Sequence, residues 1–274
     1  MSKDPMKIYR LVNDQVIALL KKDIIPLKMP LSFQTPHQNY FTKTIYSGVN
    51  SLILNGMTKL KGFKSPYWAT FNQLKILNAS IKEKEKATRI IYYKTNKNKK
   101  GESYNILRFL SVFNLDQVEG IPRQPQQKTF NEFLKTSHII DSFINGPEIL
   151  IGEENIYCLV DDFIEIQDKT NFIELSKLLI KSTGHIDRLN RISSNYDIDH
   201  PLYILEELVI DIGSCFLCSL VGIKPEPLTD LKDYRKRMIL LLEESPNLIF
   251  NAASMASRAV KYIFKKEKVI ERNN

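Results

Sequence analysis

Residues Tyr67-Trp68-Ala69-Thr70-Phe71-Asn72-Gln73 mark a point at which the chain must change conformation. Thr70 and Gln73 have the spacing of a capping box, in which the threonine side chain accepts from the backbone N–H three residues on and the glutamine reaches back to the threonine N–H. The pattern predicts a helix that begins at Thr70 and runs towards Leu77. We expect Trp68 and Phe71 to be the aromatic residues of this stretch that are buried.

Regular elements are predicted on both sides of this stretch. Apolar residues recur at helical spacing from Asp4 to Lys22, and Pro5 suits the first turn of a helix. The segments Thr88–Lys94 and Tyr104–Asn114 are rich in β-branched and aromatic residues, which predicts two strands. The loop between them, residues 95–103, has the composition of a basic hairpin tip.

The composition is that of a globular protein. The chain has 274 residues, of which 43% are hydrophobic and 26% charged, and it contains no apolar run long enough to span a membrane. Its first residues lack the apolar region of a secretion signal. The odd, small number of cysteines suits a reducing compartment, so we expect a cytoplasmic location. Cys215 and Cys218 lie in an apolar run and are expected to pack as buried thiols.

Charge is distributed unevenly along the chain. Residues 1–120 carry 20 basic and 8 acidic residues, whereas residues 121–274 carry 19 and 23. A basic first half indicates a polyanionic partner, although lysine-rich chains also arise from AT-rich genomes. Two prolines and a glycine fall within residues 119–128, which predicts a linker at 121–128 between domains 1–120 and 129–274.

Aromatic and lysine residues alternate through the basic half, which favours binding of single-stranded nucleic acid. Lysines neutralise phosphates, while exposed aromatic rings stack on unpaired bases. At least half of these aromatic residues are expected to belong to the core, and Tyr46 and Tyr67 are the better candidates for exposed rings. The run Lys82–Lys86 is equally typical of a solvated turn.

The second half predicts a small sheet followed by helices. We expect strands at Glu148–Ile151, Asn155–Val160 and Phe163–Gln167. A helix over Asn171–Thr183 is expected to end at Gly184 as its C-terminal cap. Further helices are predicted at Pro201–Val221, Leu228–Glu243 and Pro246–Lys266. The fold class is therefore α+β, with a small mixed α/β first domain and a mostly helical second domain.

The first half resembles the N-terminal domain of ArdC-type antirestriction proteins. The matching residues are Asn39, Tyr46-Ser47-Gly48-Val49-Asn50, Pro66 to Gln73 and Lys82–Lys86. The family has a glycine at the position of Lys84, so the resemblance leaves open whether a tight turn is kept there. It implies binding of single-stranded DNA. The residues expected to contact DNA are Asn39, Lys43, Tyr46, Asn50, Lys64, Tyr67, Trp68, Gln73, Lys84, Lys86, Lys97, Lys99 and Lys100.

The second half resembles the zincin-like metallopeptidase domain of the same family. The match runs through Ser182-Thr183-Gly184-His185, Arg188-Leu189-Asn190-Arg191 and Glu206 to Asp211. The family carries H-E-x-x-H before this motif, where this chain has Lys177-Leu178-Leu179-Ile180-Lys181. A protonated lysine has no lone pair for a metal, and leucine cannot activate water. The resemblance therefore implies an inactive peptidase domain without a cofactor.

One ligand position of the family survives at Glu207. We expect Lys177 or Lys181 to pair with a buried Glu207 in this vestigial site. A replacement metal site from His185, Glu207 and Asp211 is the less favoured alternative. The remaining histidines have no ligand-like neighbours and are expected at the surface; they are His37, His138 and His200.

Three functions follow from these patterns. The favoured one is a single-stranded-DNA-binding, antirestriction-like protein of a mobile element or phage, with an inactive peptidase domain. The first alternative is a zinc metallopeptidase with unorthodox ligands. The second is a module whose acidic C-terminal half binds a protein partner, such as a restriction or replication factor.

Overall fold

The computed structural model describes residues 5–26, 36–97, 101–121, 135–191, 200–223 and 231–264. The helices are α1 (Pro5–Leu20), α2 (Val49–Lys61), α3 (Phe71–Ile76), α4 (Thr136–Ser142), α5 (Phe172–Ser182), α6 (Pro201–Leu220), α7 (Leu231–Glu244) and α8 (Leu248–Ile263). The strands are β1 (Gln38–Asn39), β2 (Tyr67–Thr70), β3 (Ser80–Ile81), β4 (Thr88–Lys97), β5 (Ser103–Asn114), β6 (Val118–Glu119), β7 (Glu148–Ile151), β8 (Ile156–Cys158) and β9 (Phe163–Ile166). The fold class is α+β, as predicted.

The chain divides into two compact units. The first contains residues 1–131 and 226–254, and the second contains residues 132–225 and 255–274. Helix α7, which the sequence places in the second domain, is thus counted with the first unit, where Asn13 of α1 donates to the Leu242 carbonyl. The predicted linker at 121–128 lies, except for Ile121, outside the described residues, so the boundary there stays a prediction.

The first unit is built on a four-stranded sheet in the order β1-β2-β5-β4. Strand β1 runs parallel to β2, and the other pairs are antiparallel. The predicted hairpin is confirmed, since β4 pairs with β5 along its whole length. One core cluster contains Leu54, Trp68, Ile90 and Val112, and a second contains Ala69, Leu74, Phe113, Leu115 and Val118.

The predicted start of α3 is confirmed, but one of its aromatic residues is placed wrongly. Thr70 is the N-cap and forms the complete capping box with Gln73. Trp68 is fully buried, whereas Phe71 is 60% exposed. The capping box makes Phe71 the first residue of the helix, and that position carries its ring outward rather than onto the sheet.

Gly48 is the N-cap that precedes α2, and it has a φ of 61°. That left-handed conformation strains any side chain, so the glycine of the Tyr46–Asn50 motif is required by the backbone. Gly56 in the middle of α2 serves close packing instead, because a Cβ there would lie 2.4 Å from Leu19 of α1.

The second unit contains a three-stranded sheet in the order β7-β9-β8, followed by helices. Helices α5 and α6 pack closely: the Ser176 and Ser214 hydroxyls are 2.6 Å apart, and a Cβ on Gly213 would lie 2.9 Å from Ile180. The predicted burial of Cys215 and Cys218 is confirmed. Burial raises the pKa of the Cys218 thiol, which keeps it protonated.

The predicted cap at Gly184 is wrong. Thr183 ends α5 in a right-handed conformation with a φ of −60°, and Gly184 is not among the residues with positive φ. The Gly184 N–H donates to Lys181 and the His185 N–H to Ser182, so the chain continues in a tight turn instead of reversing through a left-handed residue. None of the described helices combines the length and the apolar character needed to cross a bilayer.

The turn at Lys82–Lys86 is kept although it has no glycine. Lys84 takes the left-handed conformation, with a φ of 63°. The turn is held by the Glu85 N–H donating to the Lys82 carbonyl at 3.3 Å and by the Gln117 amide donating to the Glu85 carboxylate at 2.7 Å. These hydrogen bonds hold the lysine in a backbone conformation that favours glycine.

We expect Lys84→Gly to raise the free energy of unfolding by about 1 kcal/mol, because it removes the strain of a Cβ at positive φ. Denaturant unfolding measures this as a higher midpoint at unchanged slope. Lys84→Ala is the matched control, since it removes the same charge and keeps the Cβ. An equal gain from both variants would show that charge, not backbone strain, is the cause.

His37 is a buried histidine, and its predicted surface position is wrong. It is 1% exposed, and its Nδ1 accepts from the Trp68 indole N–H at 3.1 Å. Burial lowers the pKa of His37 from 6.5 to about 4, against the smaller opposing effect of a hydrogen bond with Asn55. His138 is exposed, as predicted, and His200 caps the N-terminus of α6 through its side chain.

We expect the free energy of unfolding to fall by up to about 3 kcal/mol as the pH drops from 6.5 to 4. The unfolded chain binds a proton on His37 in this window, while the folded chain resists it. Chemical unfolding at a series of pH values measures the loss. His37→Asn should remove most of it and His138→Asn none; equal behaviour of the two variants would contradict the assignment.

Candidate nucleic-acid interface and zincin-like region

Asn39 organises the aromatic end of the first unit. Its side-chain oxygen accepts from the Phe41 and Thr42 N–H groups at 3.0 and 2.9 Å. Its amide nitrogen donates to Gln73 at 3.0 Å and to the Tyr46 hydroxyl at 3.2 Å. Asn39 is 6% exposed. Because its amide is buried and makes all four of these hydrogen bonds within the unit, Asn39 fixes the position of the surrounding loop.

Two partly buried tyrosines and the exposed Lys43 form a cluster next to this loop. The rings of Tyr40 and Tyr67 meet edge to face at 5.9 Å. The Lys43 ammonium lies 4.4 Å from the Tyr40 ring centre and 5.8 Å from that of Tyr67. Cations within about 6 Å of such rings are attracted to their faces. The cluster thus places a positive charge over aromatic surface, which is the combination that binds phosphate and base together.

Three predicted contact residues have internal roles instead. Trp68 is completely buried, so its ring has no face on which a base could stack, and its prediction as a DNA contact is wrong. Asn50 donates to the Ile91 carbonyl and accepts from the Ile91 N–H, both at 2.7 Å, which ties α2 to β4. Gln73 is held by the capping box and by Asn39.

Tyr46 is an intermediate case. It packs against the cluster around Leu54 and Trp68, and burial raises the pKa of its hydroxyl. Only part of its ring can therefore meet a ligand. Tyr67 is likewise partly buried, against the cluster around Ala69 and Leu74.

The predicted lysines fall into two groups. Lys43, Lys64, Lys84 and Lys86 are exposed. Lys99 and Lys100 lie outside the described residues; Lys97 ends β4, and its side chain is also outside them.

Sequence reasoning missed three exposed aromatic residues. Phe41, Phe71 and Tyr92 are 46%, 60% and 43% exposed. Tyr92 lies opposite the exposed Arg108 in the β4–β5 ladder, so a ring and a cation are neighbours on one sheet face. Only the period-two alternation of β4 could have indicated this, and the buried neighbours Ile90 and Ile91 blur it.

In the second unit, α5 carries the sequence Lys177–Lys181. Its three central residues are buried, and its two lysines are partly exposed. Lys177 pairs with Glu174 at 2.7 Å, one turn earlier on the same helix. Glu207 is exposed. The expected burial of Glu207 is therefore wrong, and the ion pair seen for Lys177 is with Glu174.

The residues present here do not suit a metal ion. Two ammonium groups repel a cation, and Leu178 supplies no ligand atom. His185, Glu207 and Asp211 are all described, and they do not come together: no group of three or more His, Cys, Asp or Glu side chains able to hold a metal occurs within the described ranges. The Nδ1 of His185 instead accepts from the Asp187 N–H at 3.2 Å.

Two buried arginines hold the segment that follows α5. Arg188 forms a bidentate pair with Asp162, and it also donates to the Tyr157 hydroxyl at 2.9 Å. Burial acts to raise the pKa of the Asp162 carboxyl, but hydrogen bonds from Arg188 and Tyr157 lower it further, so the net shift is downward. Asp162 thus stays ionised, and Arg188 stabilises the junction of β9 with this segment.

Arg191 connects the segment that follows α5 to α6. Its guanidinium makes a bidentate pair with Glu206 at 2.9 and 3.1 Å. It also donates to the Thr183 hydroxyl at 3.0 Å and to the Ile180 carbonyl at 3.2 Å. Both partners of the ion pair are largely buried, so this charge pair is structural.

Comparison with known proteins places these features in a family. Residues 6–137 match the model for the N-terminal domain of anti-restriction factor ArdC, and residues 140–255 match the model for a zincin-like metallopeptidase. The DNA primase TraC of Escherichia coli is 26% identical over 92% of this chain, which spans about a quarter (26%) of that protein. The protein y4eC of Sinorhizobium fredii is 23% identical, with 98% of this chain and 95% of y4eC covered.

Solved structures give the same result. The metal-free crystal structure of the antirestriction protein ArdC from plasmid R388 superposes with a TM-score of 0.73 at 26% identity and covers 93% of this chain and 96% of that one. The Mn(II)-bound structure of the same ArdC also gives 0.73, at 27% identity. Since the first model is that of the ArdC N-terminal domain and the fold of almost the whole chain matches that of ArdC, this chain belongs to the ArdC-type antirestriction family.

Proposed function

We propose that this chain is a single-stranded-DNA-binding antirestriction protein whose zincin-like unit does not hydrolyse peptide bonds. The observation that carries the DNA part is the cluster of Lys43 over the Tyr40 and Tyr67 rings. The exposed rings of Phe41 and Phe71 add further stacking surface in the same unit. Free bases need rings of this kind, whereas a duplex keeps its bases stacked internally.

The charge distribution supports the same partner. The excess of basic residues lies in residues 1–120, and the exposed lysines named above belong to it. Binding would release counterions from phosphates and would therefore weaken steeply with salt. The mode of action we infer is occupancy: the protein covers incoming single strands of a mobile element and withholds them from restriction. Its three cysteines are free, which suits action in the reducing cytoplasm.

The loss of peptidase activity is inferred from side-chain chemistry. In ArdC-type proteins the Lys177 and Lys181 positions are histidines of the zinc motif. Here these positions carry positive charge, one of them already paired with Glu174. With leucine at position 178 no general base remains. A protein partner for the second unit is compatible with this proposal.

We expect the full-length chain to bind a labelled single-stranded oligonucleotide more tightly than a duplex of equal length in fluorescence anisotropy. Lys43→Gln should weaken binding and lower the slope of log K against log salt by about 0.7, the value for one phosphate contact on a single strand. Phe71→Ala should weaken binding by about 1–3 kcal/mol, the contribution of one stacked base. Lys135→Gln is the charge-matched control outside the basic half.

Two results would contradict the DNA proposal. One is equal affinity for duplex and single strand. The other is a salt slope that Lys43→Gln leaves unchanged while Lys135→Gln lowers it, which would place the contacts elsewhere.

For the second unit we expect far less than one zinc or manganese ion per chain in elemental analysis after exposure to either metal. Glu207→Gln should change neither the metal content nor the absence of casein cleavage. Glu174→Gln, which frees Lys177 without altering Glu207, serves as the control. Stoichiometric metal that Glu207→Gln removes would refute the loss of the site.

A further inference from the structure

The second unit contains a cavity at the start of α6. It has a volume of about 300 Å³ and is lined by residues from the segment after α5, from the start of α6 and from α8: Leu189, Asn190, Arg191, Leu202, Leu205, Glu206, Met255 and Arg258. A cavity of this size is at the lower end of the range for small-molecule sites.

The cavity is separate from the zincin-like region. At 100° per residue, Leu202, Leu205 and Glu206 share one face of α6. Glu207 projects about 100° around the helix from Glu206, on the side that carries Ser214, whose hydroxyl lies 2.6 Å from that of Ser176 in α5. Lys177, Lys181 and Glu207 are not among the lining residues, so a ligand in the cavity would not contact the positions that match the family's metal motif.

The walls of the cavity are aliphatic. Leu189, Leu202, Leu205 and Met255 supply its apolar surface, and Leu202 is 45% exposed. The lining contains no aromatic ring on which a planar ligand could stack. An aliphatic body of a few carbons would remove this surface from water at roughly 25 cal/mol per Å².

The charges in the lining leave one cation unneutralised. Arg191 and Glu206 neutralise each other in their bidentate pair, and the Arg191 guanidinium is further occupied by Thr183 and Ile180. Arg258 is exposed and makes no ion pair with any residue that the structure describes. The lining thus has a net charge of +1, which matches a monoanion better than a dianionic phosphate.

We propose that this cavity binds an aliphatic monocarboxylate, with the carboxylate on Arg258 and the apolar body against Leu202, Leu205 and Met255. A guanidinium and a carboxylate match in planar, bidentate geometry. The same chemistry is offered by a peptide that ends in an aliphatic residue and by a free short-chain acid.

The test uses the full chain and two pairs of probes. N-acetyl-leucine and its neutral amide represent a peptide C-terminus, and hexanoate and hexanamide represent a free acid. In calorimetric titration we expect at least one acid to bind about tenfold more tightly than its amide, the effect of one charge-assisted hydrogen bond. A preference for N-acetyl-leucine over hexanoate identifies a peptide C-terminus, and the reverse identifies a free acid.

Variants tie the binding to this cavity. Arg258→Gln should remove the tenfold preference for the acid, whereas Lys261→Gln, an exposed cation on the same helix outside the lining, should preserve it. Leu202→Ser should weaken acid and amide alike; thermal unfolding checks that each variant is folded. The proposal is overturned if neither acid binds at 10 mM, if acid and amide bind equally, or if Arg258→Gln leaves the preference intact.

Discussion

The first unit depends on the hydrogen bonds of one buried amide. Asn39 joins the loop at residues 40–46 to the start of α3 through four bonds, and a buried polar group that lost these partners would cost about 1–3 kcal/mol per unmet bond. Because the amide requires all of these partners at once, Tyr40 and Lys43 are held on a defined loop beside Tyr67 of β2. The cluster is thus fixed at its base, which lowers the entropy lost when a ligand orders its side chains.

The second unit is also held by buried polar groups, but these are ion pairs of arginines instead of a hydrogen-bonded amide. The guanidinium groups of Arg188 and Arg191 each donate to a carboxylate and to backbone or hydroxyl oxygens. These hydrogen bonds offset the free-energy cost of burying the two positive charges. These pairs fix residues 183–191, after α5, through contacts within the chain itself. The framework here is therefore stabilised by side chains other than Lys177, Lys181 and Glu207.

The sequence predicted the local structure well where the signal is local. The capping box at Thr70, the β4–β5 hairpin, the strands β7 to β9 and the burial of Cys215 depend on neighbouring residues, and all are found. Predictions failed where burial depends on tertiary packing. Phe71 is exposed because the helix start turns it outward, and His37 is buried because Trp68 requires an acceptor.

The candidate sites show the same limit. Residue type and spacing selected Lys43 and Tyr67, which lie together in the structure but whose contact with DNA stays a prediction. They also selected Trp68, which is completely buried, and Asn50 and Gln73, whose side chains form hydrogen bonds within the unit. Motif residues often stabilise the fold of a domain and do not contact its ligand. The sequence alone does not distinguish these two roles. No local pattern singles out Tyr40, because its contact with Lys43 requires the turn that Asn39 holds.

The burial of two thiols has a practical consequence. Cys215 and Cys218 are enclosed between helices, while Cys158, at the end of β8, is only partly covered. A maleimide dye added to the native chain should therefore attach at one position without any engineering. A dye on Cys158 would report on the zincin-like unit, and its fluorescence could be used to follow the unfolding of that unit.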